Sequence, residues 1–199
     1  MLRALAFLAE VYAWLPKREI FLAGTHWPIS VYSDASWEET HAPPRLGWVI
    51  FHPDGRTRAG TMVLTSELID RWRPRKQHIF AAETFAGLVV PMLYPSAFQD
   101  QDVMWFVDDE AACNTLIIGV CGPDDVAETA CITHIQLHKL SCRVWFEWIA
   151  SNSIPSDGLS RDGLEDAWTQ APGWNPQEFE VPREAFMEAS TFFSETVGL

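Results

Sequence analysis

Four acids stand where the residue pattern of the chain changes: Asp34, Glu83, Asp108 and Asp157. Asp34 breaks the strand-like run Val31-Tyr32-Ser33 and is followed by the small residues Ala35 and Ser36. Asp108 closes the apolar run "VMWFV", and Asp157 opens a short segment after Pro155. Each alone has an ordinary reading. Aspartate at a strand end is usually a turn or cap residue, Asp157 suits an N-cap, and a first-turn glutamate such as Glu83 is favoured by the helix dipole. Brought together they do something else. Carboxylates about 5 Å apart repel by roughly 3 kcal/mol per pair at an effective dielectric near 20. Such a cluster stays ionised only with a cation. Oxygen-only ligands suit Mg²⁺ or Mn²⁺. Two such ions roughly 4 Å apart can activate a water and stabilise a leaving oxygen, which is the chemistry of phosphodiester hydrolysis.

The elements that would position these acids follow from local pattern. "WPISVYSDAS", "RLGWVIF" and "RTRAGTMVLTS" read as three strands, the second and third joined by the turn Pro53-Asp54-Gly55. Short connections make them antiparallel. From Gln77 to Leu93 the period changes, with Ile79, Glu83, Ala86 and Val90 on one helical face and Gly87 permitting close approach to a sheet. "QDVMWFVDDE" reads as a central strand covered on both faces. "AACNTLIIGV" reads as a helix stopped by "CGPDD", followed by a helix over 125–141, a fifth strand "RVWFEWIAS", and a loop into a short helix at Asp157. The expected fold is α/β: a mixed five-stranded sheet, three antiparallel strands then two parallel, flanked by helices. The expected organisation is an N-terminal helical extension or connection segment over 1–26, a domain over 27–163, and an acidic C-terminal extension over 164–199, read as loop and then helix.

These segments resemble the ribonuclease H fold, in particular the ribonuclease H domains of retroelement polyproteins. "VYSDAS" looks like the first catalytic strand of that family, and "HIFAAETFAGL" like the helix carrying its glutamate. "VMWFVDDEAA" is similar to its fourth strand and the helix that follows, and "SNSIPSDGLSR" to the retroelement ending. The resemblance spans about 27–162. It implies that Asp34, Glu83, Asp108 and Asp157 are catalytic and hold two Mg²⁺ (or Mn²⁺) ions. The implied activity is endonucleolytic cleavage of the RNA strand of an RNA–DNA hybrid, with a polymerase domain of the same polyprotein as a partner. Asp109 stands where Asn is common and is a substitute ligand only if it does not point to the other side of its strand. Ser36 occupies the position where proofreading exonucleases of the superfamily carry a second acid, which disfavours an exonuclease. No His lies between Trp148 and Asp157, unlike many cellular ribonucleases H.

Other features constrain this expectation. The chain has 199 residues, 14 basic and 27 acidic, and a net charge of −13. Such a charge repels phosphate backbones, whereas free-standing nucleases draw most of their affinity from phosphate contacts. The basic run "RWRPRK" offers a cation–aromatic patch. Arg71, Trp72 and Arg73 are therefore candidate substrate contacts, together with Ser36 and Asn152. The acidic charge also supports a second reading, a catalytically inactive interaction domain that keeps the fold. Cys113, Cys121, Cys131 and Cys142 form no CxxC pair. They read as free thiols of a reducing, intracellular compartment (cytoplasm or nucleus) rather than a zinc knuckle. His134 and His138 read as helix-surface residues, and Trp105, Trp145 and Trp148 as core. No apolar run reaches the roughly 18 residues of a membrane helix.

Overall fold

The computed structural model describes residues 27–37, 43–76 and 78–197. The helical extension or connection segment expected over residues 1–26 lies outside them. Strand β1 (Ile29–Ser36) is central, and its two faces follow the period-2 rule. Ile29, Val31 and Ala35 face a packed apolar core, while Ser30 and Tyr32 are half-buried on the other side. β2 (Arg45–Phe51) and β3 (Thr57–Val63) continue antiparallel from β1. Their hairpin turns at Pro53-Asp54-Gly55, where Gly55 takes φ 85° and His52 N bonds Arg56 O at 2.9 Å.

β4 (Asp102–Val107) returns parallel to β1 on its other side, and β5 (Arg143–Trp148) runs parallel to β4. The strand order β5-β4-β1-β2-β3 places the first and fourth strands side by side. This is a mixed α/β sheet with ribonuclease H-like topology, flanked by helices. β4 is less covered than its apolar sequence suggests: Val103, Trp105 and Val107 are buried, but Met104 and Phe106 are only half-buried.

A sixth strand corrects the expected five. β6 (Gln177–Phe179) lies in the segment read as loop and pairs parallel with β3. Three residues are too short to show alternation. The tertiary partners decide the pairing: Glu178 meets Arg45 at 3.0 Å, and the Phe179 ring packs on Trp48 and Tyr94.

Helix α1 (Ile79–Leu93) is buried on every side from Ala81 to Pro91 rather than along one stripe. It is sandwiched between the sheet and the helices α2 (Glu110–Ile118) and α3 (Asp124–Lys139). Gly87 permits close approach, but to a helix and not to the sheet: a Cβ there would meet Leu116 Cδ2 at 2.8 Å. After β5 come helix α4 (Asp157–Arg161), a single turn at Ala167–Gln170 and helix α5 (Ala189–Val197).

The tryptophan expectation divides. Trp105 is fully buried and donates from Nε1 to Ser33 Oγ at 2.9 Å. Trp145 and Trp148 are 63% and 52% exposed, because β5 is the edge of the sheet. His134 is half-buried, with Nε2 2.8 Å from Leu116 O. The four cysteines are free thiols.

Candidate metal centre

Adjacency of β1 and β4 sets the site. Asp34 sits near the C-terminal end of β1, and Asp108 directly follows the last residue of β4. Glu83, one turn into α1, reaches the same point from the helical layer. Each of the three offers a carboxylate oxygen, and these oxygens lie within 4.8 Å of one another.

The surroundings differ for each acid. Glu83 is 1% exposed, and its Oε1 accepts a hydrogen bond from Ala35 N at 2.6 Å. Its Oε2 is buried with no hydrogen-bond partner. Burial, then the charges of Asp34 and Asp108, push the Glu83 carboxyl well above its ordinary range. Asp34 is 5% exposed, and Oδ2 accepts from the Ser160 hydroxyl. Burial, reinforced by Asp108 and Asp157, pushes Asp34 up to about 7, while the Ser160 bond opposes the shift. Asp108 is only half-buried. Its Oδ2 accepts from the Ser151 hydroxyl, and its backbone carbonyl accepts from Trp148 Nε1 at 2.9 Å.

An orphaned carboxylate oxygen in a dry pocket costs on the order of 1–3 kcal/mol or more. Glu83 Oε2 is such an atom, on one of the three carboxylates that converge here. A hard divalent cation satisfies that oxygen and removes the repulsion that raises both buried acids. The all-oxygen donor set could therefore hold a hard metal ion.

The fourth acid is placed differently. Asp157 opens α4 outside the 4.8 Å group, and its Oδ1 accepts from Arg161 Nε at 2.8 Å. It is still close enough to raise Asp34 through its charge. Asp109 is occupied elsewhere: it caps α2, accepting from Ala112 N at 2.7 Å.

The candidate substrate contacts separate in the same way. Ser36 lies at the end of β1 and donates from Oγ to Ser160 O. Asn152 is exposed in the 3₁₀ turn Ser151–Ser153, beside Asp108's partner. The "RWRPRK" run makes contacts within the protein. Trp72 is 6% exposed and packs against His78 and Phe85, so its ring is not a stacking platform. Arg71 donates to Phe186 O, and Arg73 pairs with Asp124. Arg75 pairs with Asp125. The acidic first turn of α3 takes up the charge that sequence reading assigned to phosphate.

Three residues near the acids are absent from the sequence-based candidates. Ser160 lies three positions after Asp157, a spacing that shares a helical face, so the signal was present in "DGLSR". Gly47 pairs with Asp34 across β1–β2. A Cβ there would meet Ser160 N at 2.4 Å and Leu159 C at 2.7 Å. Glycine inside a strand commonly marks such a close approach. Ser151 carried no comparable signal.

No protein-family model matches the chain, and no curated protein matches it in sequence. Solved structures similar in fold include two ribonuclease H domains. The N-terminal ribonuclease H domain of a Mycobacterium tuberculosis protein, solved as a fusion with maltose-binding protein, has a TM-score of 0.48 at 16% identity, covering 72% of this chain and 97% of that one. Ribonuclease H1 of the halophilic archaeon Halobacterium salinarum has a TM-score of 0.41 at 16% identity, covering 85% and 97%. At these values neither carries a residue assignment, and the site stands on its own geometry.

Proposed function

We propose that this chain is a metal-dependent endoribonuclease that hydrolyses the RNA strand of RNA–DNA hybrids, of the kind found in retroelement polyproteins. The observation that carries the reading is the convergence of Asp34, Glu83 and Asp108 with their oxygens within 4.8 Å, one of the carboxylates buried with an unpartnered oxygen. The strand order and the motif "SNSIPSDGLSR" support the same family.

Two divalent cations, when bound, supply an activated water and neutralise charge on the leaving oxygen. The protein's part is to hold them. Asp34 and Asp108 would flank both ions, Glu83 would hold one on the substrate side, and Asp157 would hold the one on the nucleophile side. The hydrogen bond from Ala35 N fixes Glu83 Oε1. Ser151 fixes one oxygen of Asp108. Ser36 and Asn152 remain the polar groups suited to contact the substrate beside the acids, including its 2′-hydroxyls.

The electrostatics bear on affinity. Arg45, Arg56, Arg73, Arg75, Arg143 and Arg161 each pair with an acid. A chain of net charge −13 with its arginines so engaged needs a basic surface from a partner, and a polymerase domain in the same polyprotein would supply it. The same observation favours the second reading, an inactive interaction domain on this fold. Among the described residues no helix is long and apolar enough to cross a membrane.

The test is cleavage of an end-labelled RNA–DNA hybrid in Mg²⁺ or Mn²⁺, with duplex DNA and duplex RNA alongside. The native chain cuts only the RNA strand of the hybrid, and Asp108→Asn does not. Equal cleavage by both proteins refutes the site. A native chain that binds both Mg²⁺ and the hybrid without cutting supports the interaction domain instead.

A further inference from the structure

Three ties that involve no acid fasten the helix carrying Asp157 to the sheet. The missing side chain of Gly47 lets the α4 backbone lie directly on β2, where any Cβ would strike Ser160 N and Leu159 C. The Ser36 hydroxyl donates to Ser160 O. Thr61 Oγ1, fully buried in β3, lies 3.0 Å from Leu159 O and 2.9 Å from Leu46 O and shares its one proton between them. These ties set the position of one side chain, Ser160, which is itself fully buried. Its hydroxyl lies against both Asp34 Oδ2, 126 residues away in sequence, and Asp157 O at 2.8 Å, and its one proton favours the carboxylate, the stronger acceptor.

We infer that Ser160 is a positioning residue for the metal centre: it fixes the plane of the Asp34 carboxylate by engaging Oδ2, so that Oδ1 is presented to a cation. The inference rests on the cation-site reading above and deepens it. Sequence length alone would leave Asp34 free to rotate about its side-chain torsions, and a carboxylate in a crowded group of acids turns away from its neighbours. A single donor on one oxygen stops that rotation without adding positive charge that would compete with the ion. Partners that orient a ligand in this way commonly contribute 10–100-fold to metal affinity. The role also gives α4 a second purpose beyond carrying Asp157, because docking of one helix then sets two ligand positions at once.

The test uses the whole chain and Mg²⁺ alone, with thermal stabilisation and calorimetric titration as readouts that need no cleavage. Four variants are compared with the native protein: Ser160→Ala, Ser160→Thr, Ser160→Val and Thr61→Val. Thr and Val share a shape, so the pair isolates the hydroxyl even if the alanine variant does not fold. The expected result is a Mg²⁺ midpoint raised about tenfold in Ser160→Ala and in Ser160→Val relative to Ser160→Thr. Thr61→Val, which loses a helix tie but leaves Asp34 held, melts lower without Mg²⁺ and keeps the native midpoint. Equal midpoints for Ser160→Thr and Ser160→Val overturn the inference while leaving the metal centre intact. A midpoint raised as much by Thr61→Val also overturns it, since the effect is then general loosening of α4. A native protein with no response to Mg²⁺ overturns the metal centre itself, and the positioning role with it.

Discussion

Glu83 Oε1 accepts a hydrogen bond from Ala35 N at 2.6 Å, so a glutamate in the helical layer is tied to the backbone residue that follows Asp34. The bond aims the rest of the carboxylate at the other two acids. Glu83→Gln keeps that bond and removes a buried charge. The expected outcome is a cation-free protein at least as stable as the native one, with loss of stabilisation by Mg²⁺ and a fall in cleavage of at least about 100-fold, roughly 3 kcal/mol of barrier. Thermal melts with and without Mg²⁺, together with hybrid cleavage, check both halves.

The pH dependence of the cation-free protein has a definite sign. Asp34 is held up to about 7 by burial and by Asp108 and Asp157, and Glu83 is shifted in the same direction. An acid whose folded value lies above its unfolded value binds its proton more tightly in the folded chain. That stabilisation is complete below about pH 4 and is lost as pH rises through about 7. In a chelator the melting temperature is therefore expected to fall across this window. Millimolar Mg²⁺ flattens the fall, because the cation favours the ionised carboxylates. Melting curves from acid to mildly alkaline pH, with chelator and with Mg²⁺, measure the difference.

Gly47→Ala tests the seating of α4. The added Cβ falls 2.4 Å from Ser160 N and 2.7 Å from Leu159 C, both of them backbone atoms that cannot yield as a flexible side chain would. Overpacking of this kind costs about 1–3 kcal/mol. Denaturant unfolding should register that loss, and Mg²⁺ titration of the folded fraction should show a weakened response because Ser160 is displaced from Asp34.

The basic run is expected to be structural. Trp72→Ala removes a buried indole and should cost about 3–5 kcal/mol. Arg71→Ala and Arg73→Ala remove exposed contacts worth about 0–1 kcal/mol. Neither arginine change should weaken binding of a hybrid by more than about twofold, measured in a filter or anisotropy assay with Ca²⁺ in place of Mg²⁺. A large loss of hybrid affinity in Arg73→Ala would restore the run as a nucleic-acid contact.

Sequence and structure agree most closely where local chemistry is strong. The hairpin turn at Pro53-Asp54-Gly55 and the charge at Asp34 in the middle of an apolar alternation are both local signals. So is a glutamate on a helix as apolar as Ile79–Leu93. The rest depends on neighbours in space. Trp145 and Trp148 have the same apolar character as Trp105, yet they are exposed because β5 is an edge strand, and strand order is not written in a five-residue window. Trp72 and Arg73 look like a phosphate-binding patch until the acidic turn at Asp124 and Asp125 folds against them. β6 exists because β3 offers an unpaired edge and Trp48 and Tyr94 offer a seat for Phe179. Ser160 was visible as part of a motif, but its contact with Asp34 depends on the absence of a side chain at Gly47.

The most direct measurement of the central claim is a crystal of the native chain soaked in Mn²⁺, with anomalous scattering used to locate the metal. The account predicts density bonded to carboxylate oxygens of Asp34, Glu83 and Asp108 at about 2.0–2.2 Å, as hard-cation coordination requires. Mn²⁺ absent from these three residues, or bound only at surface acids elsewhere, would contradict it.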